Sequence, residues 1–596
     1  MDARPSADGD PTHEPPRGLR PARRGLRRGL TACAALVILW LGWSAVDLGR
    51  AAIDARAGQH ALLAIQPAAL DTPGGIQQQV TSATGRLRRA DRIMRTSPPL
   101  RIARHVPLVG PQIRTIADLT HVGAGLGNAA DVAAAAIQAQ LNKGTGGAQN
   151  RLALLDVIAA QTADVRRALG RQHVPRRPWT VAPLAAKRDA ASDTLSKTSV
   201  AADEASNILG SMQVVLNGPS KYLVLAGNNA EMRATGMVLS AGLADVSQGQ
   251  IKLEPFRQAA ELYIPPPDQV AVSPELKNLY GWMSIGGEWR AGTATPNFPA
   301  IAPVYAEMAK RKGLGEVRGV VFVDVVALQA ILAATGPVEV DGVSYDAMTA
   351  GKLVMYDNYL KFGTADLATR AERSDVQSRL GSAAFQALNE RKVSFGALYK
   401  YLKVAASGRH LMAWAKDDAE ELLWQRVGVD GALDADEVFI NLQNISASKL
   451  DYHITPEVSF RSLSVKDGKR VVRMQITISN QARNPTSEVI EGALYGREND
   501  IPFGWYRQYL MVYLPYDART IRSTDPPFSQ SGADGPNTVA GFQFITATNA
   551  TRVLTIDFTV SAADPIRLAP LGRAFPVKVH TPKGVQNDRE AREIRF

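Results

Sequence analysis

Between the apolar runs YLVLAG (222–227) and MVLSAG (237–242) the chain places a polar knot, NNAEMRATG. Asn228, Asn229, Glu231 and Arg233 in this knot are the residues whose types and spacing could do chemistry. Arg233 offers a rigid fork of N–H donors that matches a phosphate or a carboxylate. Glu231 is placed to orient that guanidinium or to act as a general base, and the two asparagines add amide donors. The knot follows a strand end, where open α/β sheets place ligands. The same residues also make a purely structural turn, with Glu231 pairing Arg233 and the asparagines capping backbone groups. Spacing alone leaves both open.

A second set lies in ADLATRAERSDVQSRLGSAAFQAL (365–388), which has the periodicity of a helix. Arg370, Arg373 and Arg379 fall near one face. A row of guanidinium groups suits a diphosphate. Glu372 and Asp375 are interspersed, so a solvated charged face is the alternative. Other chemistries lack support. The eight histidines are scattered, Cys33 is the lone cysteine, and there is no His-Glu-x-x-His, Gly-x-Ser-x-Gly or phosphate-loop motif. No metal or cofactor site can be assigned from motifs, and an enzyme here would work with arginines, carboxylates and amides.

These residues need elements to position them. The 596 residues are 45% hydrophobic and 21% charged, which suits a folded multidomain α+β protein. Residues 1–28 read as a disordered basic cytoplasmic tail rich in Pro, Gly and Arg. Residues 29–47 hold the uncharged run LTACAALVILWLGWSAV (30–46), about 26 Å long as a helix. Arginines precede it, Asp47 follows it, and Trp40 and Trp43 lie toward its outer end. This predicts a retained transmembrane signal-anchor, with a cleaved signal peptide as the rival. The protein is then single-pass in the plasma membrane, N-terminus cytoplasmic and bulk extracytoplasmic, and nucleic acid is excluded as a partner.

Residues 48–212 predict a helical stalk. Of the net charge of +11, nearly all lies between 51 and 200, where 19 Arg or Lys face 9 Asp and no Glu. The run Arg86, Arg88, Arg89, Arg92, Arg95, Arg101 and Arg104 fits an anionic wall polymer or lipid phosphates, or else a solvated face. Residues 213–430 alternate strands and helices, an α/β domain with a central sheet. Within it, VVFVDVV reads as a buried strand. Residues 436–596 show period-two runs such as RVVRMQITISNQ and RVLTIDFTVSA, which predict a C-terminal β-sandwich.

KYLVLAGNNAEMRATGMVLSAG (221–242) resembles the signature of the bacterial domain-of-unknown-function 4012 family. TPNFPAIAPVYAEM, with Asn297 where an Asp is usual, VRGVVFVDVVALQAILAATGPVEVDG, HVPLVGPQIRTIADL and ISASKLDYHI (445–454) resemble further blocks of that family. The resemblance implies a membrane-anchored protein encoded near polysaccharide-synthesis genes, without a known activity. The order of elements is also similar to the LytR-CpsA-Psr domain, which transfers glycopolymers from polyprenyl-diphosphate carriers. That likeness implies diphosphate-gripping arginines at Arg233, Arg370, Arg373 and Arg379, an apolar tunnel for the lipid, and magnesium held by Asp residues. Thr235 stands where that domain has an Asp. The expected function is surface polysaccharide assembly in the cell envelope: binding or ligating a polyprenyl-diphosphate-linked glycan as a phosphotransferase-type ligase. The alternative is a non-catalytic scaffold or adhesion module that binds wall polymer or a protein.

Overall fold

A computed structural model describes residues 22–63, 74–143, 147–362, 367–391, 393, 395–446, 448–483, 490, 502–523 and 525–596; the side chains of 22–38, 63, 367–371 and 395 lie outside that description. The expectations for residues 1–21 therefore lie outside the described residues. Where it is described, the chain is a mixed α+β, multidomain protein. Its contacts divide it into two compact units. One comprises residues 1–65, 77–132 and 165–200, and the other 66–76, 133–164 and 201–596.

The first unit is helical. The helix Ala22–Leu63, about 63 Å long, packs its second half, through Ala51, on Ala90, Met94, Leu100 and Ala103. Trp40 donates its indole N–H to the Pro99 carbonyl at 3.1 Å, whereas Trp43 is exposed. Asp47 is buried and accepts from the Ser97 hydroxyl at 2.7 Å. The Pro-Gly-Pro turn ends one helix at Ala103 and starts the next at Gly110. A Cβ on Gly110 would lie 2.3 Å from the Arg104 carbonyl oxygen, so only glycine fits. Among the described residues no helix is long and apolar enough to cross a membrane. The side chains of 30–38, over half of the expected span, fall outside them.

The second unit is organised by a mixed sheet. Its strand order is Gln250–Leu253, Gly236–Ser247, Ser220–Met232, Gly319–Val323, Leu411–Ala415, with Arg257–Gln258 also pairing the second. Ser220–Met232 and Gly319–Val323 run parallel, and the other pairs are antiparallel. The expected strand VVFVDVV stops at Val323. Asp324 takes extended backbone and its carboxylate accepts from the Val326 and Ala327 N–H groups, so the next residues start the helix Val325–Thr335. A capping residue overrides β-propensity here. Leu223, Leu225, Val320 and Phe322 face one core with the helix Phe298–Arg311. The opposite side carries the helices Val325–Thr335 and Leu367–Glu390, joined through Ile331, Leu332, Leu380 and Ala384.

Two six-stranded sheets follow. They share one core, in which Val438, Leu442, Leu510 and Val512 meet Val458, Met474, Ile476 and Phe558. The sheet containing Glu437–Asn444 and Tyr506–Leu514 is also covered on its other side. Phe439, Tyr509, Met511 and Tyr513 join the core of the first sheet, beside Trp289 and Phe298. Period two thus encodes two different buried faces in these strands, not one buried and one wet. Each such aromatic contributes about 1.5–3 kcal/mol by burial, and the α/β region and the following sheets form one packed body.

Candidate functional site

The knot is positioned by a bulge. Asn228 pairs with Met237 and the next register pair is Met232 with Gly236, so residues 229–231 have no partner on the second strand. Extra residues on one strand bend it and re-aim its side chains. The true turn is therefore only Arg233–Thr235, where the Arg233 N–H bonds the Thr235 carbonyl at 2.8 Å.

The bulge sends the knot's side chains in two directions. Asn228 and Glu231 line a cavity of about 230 Å³ between the sheet and the helix Leu367–Glu390. Glu231 forms a nearly buried ion pair with Lys449. Asn228 donates to the Tyr359 hydroxyl at 2.8 Å and to the Val354 carbonyl at 3.2 Å. Tyr359 is a platform for two cations, with the Lys449 ammonium 5.1 Å and the Arg373 guanidinium carbon 4.9 Å from its ring centre. Arg373 also donates to the Phe362 carbonyl at 3.1 Å. Burial pulls the Lys449 ammonium down, but Glu231 and Tyr359 together outweigh it, and the net shift is upward.

Asn229 and Arg233 go elsewhere. Asn229 donates to Asp324 at 2.7 Å and to the Gly572 carbonyl at 3.1 Å. Arg233 is half-buried and donates to the Asn444 carbonyl, which ties the turn to the following sheets. Burial pushes its guanidinium down, with partial relief from Glu231. Arg233 is not among the cavity-lining residues, so the expected pairing of Glu231 with Arg233 gives way to Glu231 with Lys449. Arg379 is half-exposed and held by Asp375 at 2.5 Å and Asp341 at 2.7 Å, away from the cavity. Arg370 sits on the same helix, but its side chain lies outside the described residues. Of the expected ligand arginines whose side chains are described, Arg373 lines the cavity and Arg233 and Arg379 do not.

The cavity has a direction. Along the helix its lining residues run Arg373, Ser374, Gln377, Ser378, Gly381, Ser382, Phe385, one face extending about 18 Å. Along the strand they run Glu231, Asn228, Ala226, Val224. Val224 pairs with Gly242, and a Cβ on Gly242 would lie 2.9 Å from the Phe256 ring, so this glycine lets the ring lie against the sheet. At the helix's far end Asn389 holds the edge strand through the Ile251 backbone at 2.5 and 3.3 Å, near lining residues Leu253 and Phe256. One end thus carries Arg373, Lys449, Glu231 and Tyr359. The other carries Val224, Leu253, Phe256 and Phe385.

Arg290 also lines the cavity and is engaged by Glu288 at 2.5 and 2.8 Å. Asp324 lines it with both oxygens occupied, by Asn229, by His410 at 2.7 Å and by the helix cap. Among the described lining residues three cations face two carboxylates. These residues do not fit magnesium. Each carboxylate is committed to protein partners, and no group of three or more His, Cys, Asp or Glu among the described residues is arranged to hold a metal. In the first unit, part of the basic run is neutralised locally: Arg88 pairs with Asp131, Arg89 with Asp54 at 3.5 Å and Arg95 with Asp91 at 3.0 Å.

Sequence reading missed Lys449, Arg290 and Tyr359. Lys449 lies 218 residues from Glu231, and only the fold brings them together. Residues 217–359 match the model of a family described as protein of unknown function (DUF4012), the family that the knot resembles. The chain carries a domain of that family, and the match contains Asn228, Glu231, Arg290, Asp324 and Tyr359 but neither Arg373 nor Lys449. Searches of curated proteins and of solved structures return no match.

Proposed function

We propose that this protein is a single-pass cell-envelope protein of surface glycopolymer assembly, which binds a polyprenyl-diphosphate-linked glycan. The observation that carries the reading is the directional cavity: Arg373 and Lys449 at one end, an apolar wall at the other. An anionic head and an apolar tail need those two environments, and paired cations on a buried platform suit a phosphate. Glu231 then orients Lys449 and balances its charge in the absence of ligand. The arginine-flanked apolar run near the N-terminus supports a membrane anchor with the remaining chain outside the cytoplasm. Polyprenyl-linked glycans are presented at that surface. The proposal is binding; group transfer is not required by it.

Arg373→Ala tests the site. It lowers affinity for a polyprenyl-diphosphate glycan by about tenfold or more, roughly 1.4 kcal/mol, at an unchanged melting temperature. Equal binding by both proteins sinks the assignment. Gene deletion followed by analysis of wall and capsule sugars tests the process, and an active cytoplasmic reporter at the C-terminus would overturn the location. A second reading, a non-catalytic scaffold, draws on the extensive packing between the α/β region and the following sheets. It predicts no change in wall sugars when the cavity residues are replaced.

A further inference from the structure

One end of the helical first unit reaches the level of the expected anchor. Helix Gly75–Thr96 runs back along Ala22–Leu63, since Gly58 lies against Leu87, Asp47 bonds Ser97 and Trp40 bonds Pro99. Helix Gly110–Asn142 then returns along Gly75–Thr96, with Gly123 against Leu87 and Gly127 against Thr84. The link 104–109 therefore sits at the Trp40 end. The link 171–181 sits there too: Arg177 donates to Asp118 at 2.7 Å, Thr180 and Thr115 share a hydrogen bond at 3.3 Å, and the Trp179 carbonyl meets Gln112. Trp40 lies six residues, about 9 Å, inside the outer end of the apolar run 30–46.

Both links present large apolar side chains to solvent. Leu108 is 71% and Trp179 78% exposed, and Val109 and Val181 are exposed as well. On the neighbouring helix Leu41 and Trp43 are exposed at the same level. Leu108 and Trp179 hold φ values of 65° and 61°, left-handed backbone that bulky residues avoid. Gln112 holds both there. Its amide donates to the Leu108 carbonyl at 3.0 Å and the Trp179 carbonyl at 2.6 Å, and its oxygen accepts from the Val181 N–H at 3.0 Å. Neither side chain joins the core of the unit, so packing within the protein does not account for the strain. The surrounding charge is basic. Asp118 is taken by Arg177 and Asp189 by Arg188, while exposed Arg101 and Arg114 form no ion pair among the described residues.

We propose that this end of the helical unit docks on the outer face of the bilayer, with Leu108 and Trp179 inserted at the headgroup–acyl boundary and Arg101 and Arg114 on lipid phosphates. That boundary favours tryptophan and attracts arginine. Surface-bound apolar faces sink about 5–10 Å into it, which matches the level of Trp40. The two links and the anchor helix then meet the membrane together, and the contact fixes the tilt of the first unit against the bilayer. The inference rests on the anchor in the proposed function and is independent of its ligand site.

The test uses the full chain in nanodiscs of phosphatidylcholine and phosphatidylglycerol, with the lone cysteine removed by Cys33→Ser. A nitrobenzoxadiazole label is attached through Val109→Cys, Val181→Cys or, as a control far along Gly110–Asn142, Val132→Cys, where the side chain is 63% exposed. Lipid with a nitroxide on its fifth acyl carbon quenches the first two labels by about twofold or more and leaves the third unquenched. Leu108→Ser with Trp179→Ser brings the quenching down to the control level at an unchanged melting temperature. If that double variant fails to fold, the comparison of the three labels still decides. Control-level quenching of the first two labels in discs that retain the protein overturns the docking and leaves the anchor standing. A blue shift of those labels without nitroxide quenching means that a second copy covers the links, and overturns it as well. A chain that does not co-purify with the discs sinks the anchor, and the docking with it.

Discussion

Asn228 and Glu231 differ from Asn229 and Arg233 in one respect: which way the bulged strand aims them. The first pair opens on a cavity and meets Tyr359 and Lys449. The second locks the turn to later parts of the chain through Gly572 and Asn444. Adjacent residues of equal polarity in one motif thus divide between lining a cavity and tying the turn to the rest of the fold. The fully structural version of this chemistry lies close by. Asp451 is buried and accepts from the Met232 N–H at 3.0 Å, Asn444 at 2.9 Å, Tyr506 at 2.5 Å and Arg573 at 2.9 Å.

That contrast can be broken. The largest effect belongs to Asp451→Ala, which leaves buried Arg573 uncompensated and costs about 3–5 kcal/mol, read by denaturant unfolding. Arg233→Ala strips the Asn444 carbonyl of a charged donor and costs about 1.5–3 kcal/mol. Ligand affinity in the folded fraction stays unchanged. Loss of affinity without loss of stability would return Arg233 to the site.

Lys449→Met has the opposite signature. It breaks a nearly buried ion pair and leaves Glu231 without its cation, which costs about 3 kcal/mol, with affinity for an anionic ligand lost. Adding Glu231→Gln recovers the stability and not the affinity. The pair also sets a pH dependence. The folded value of Lys449 lies above its ordinary 10.5. Its stabilisation is therefore complete below about pH 10.5 and is lost as pH rises through the folded value. Alkaline titration of the melting temperature shows this limb in the wild type and not in Lys449→Met.

The sequence by itself determined the classes of element and where the polar knot lies. Hydrophobic period, Pro-Gly punctuation and composition are local, and they located the helical N-terminal third, the mixed α/β middle and the strand-rich end. Arg373 was legible as an arginine on a predicted helix, whereas Arg379, half a turn round from Arg370 at 3.6 residues per turn, points away from the cavity. The division of labour in the knot was not. It depends on a three-residue bulge, and a bulge inverts which side chains share a face without leaving a mark in composition. Lys449 and Tyr359 reach Glu231 and Asn228 across long stretches of chain, and the second buried face of Glu437–Asn444 exists only because another domain covers it. Tertiary structure alone decided these matters, because partners distant in sequence, and not local pattern, set which charges are buried together and which space stays empty.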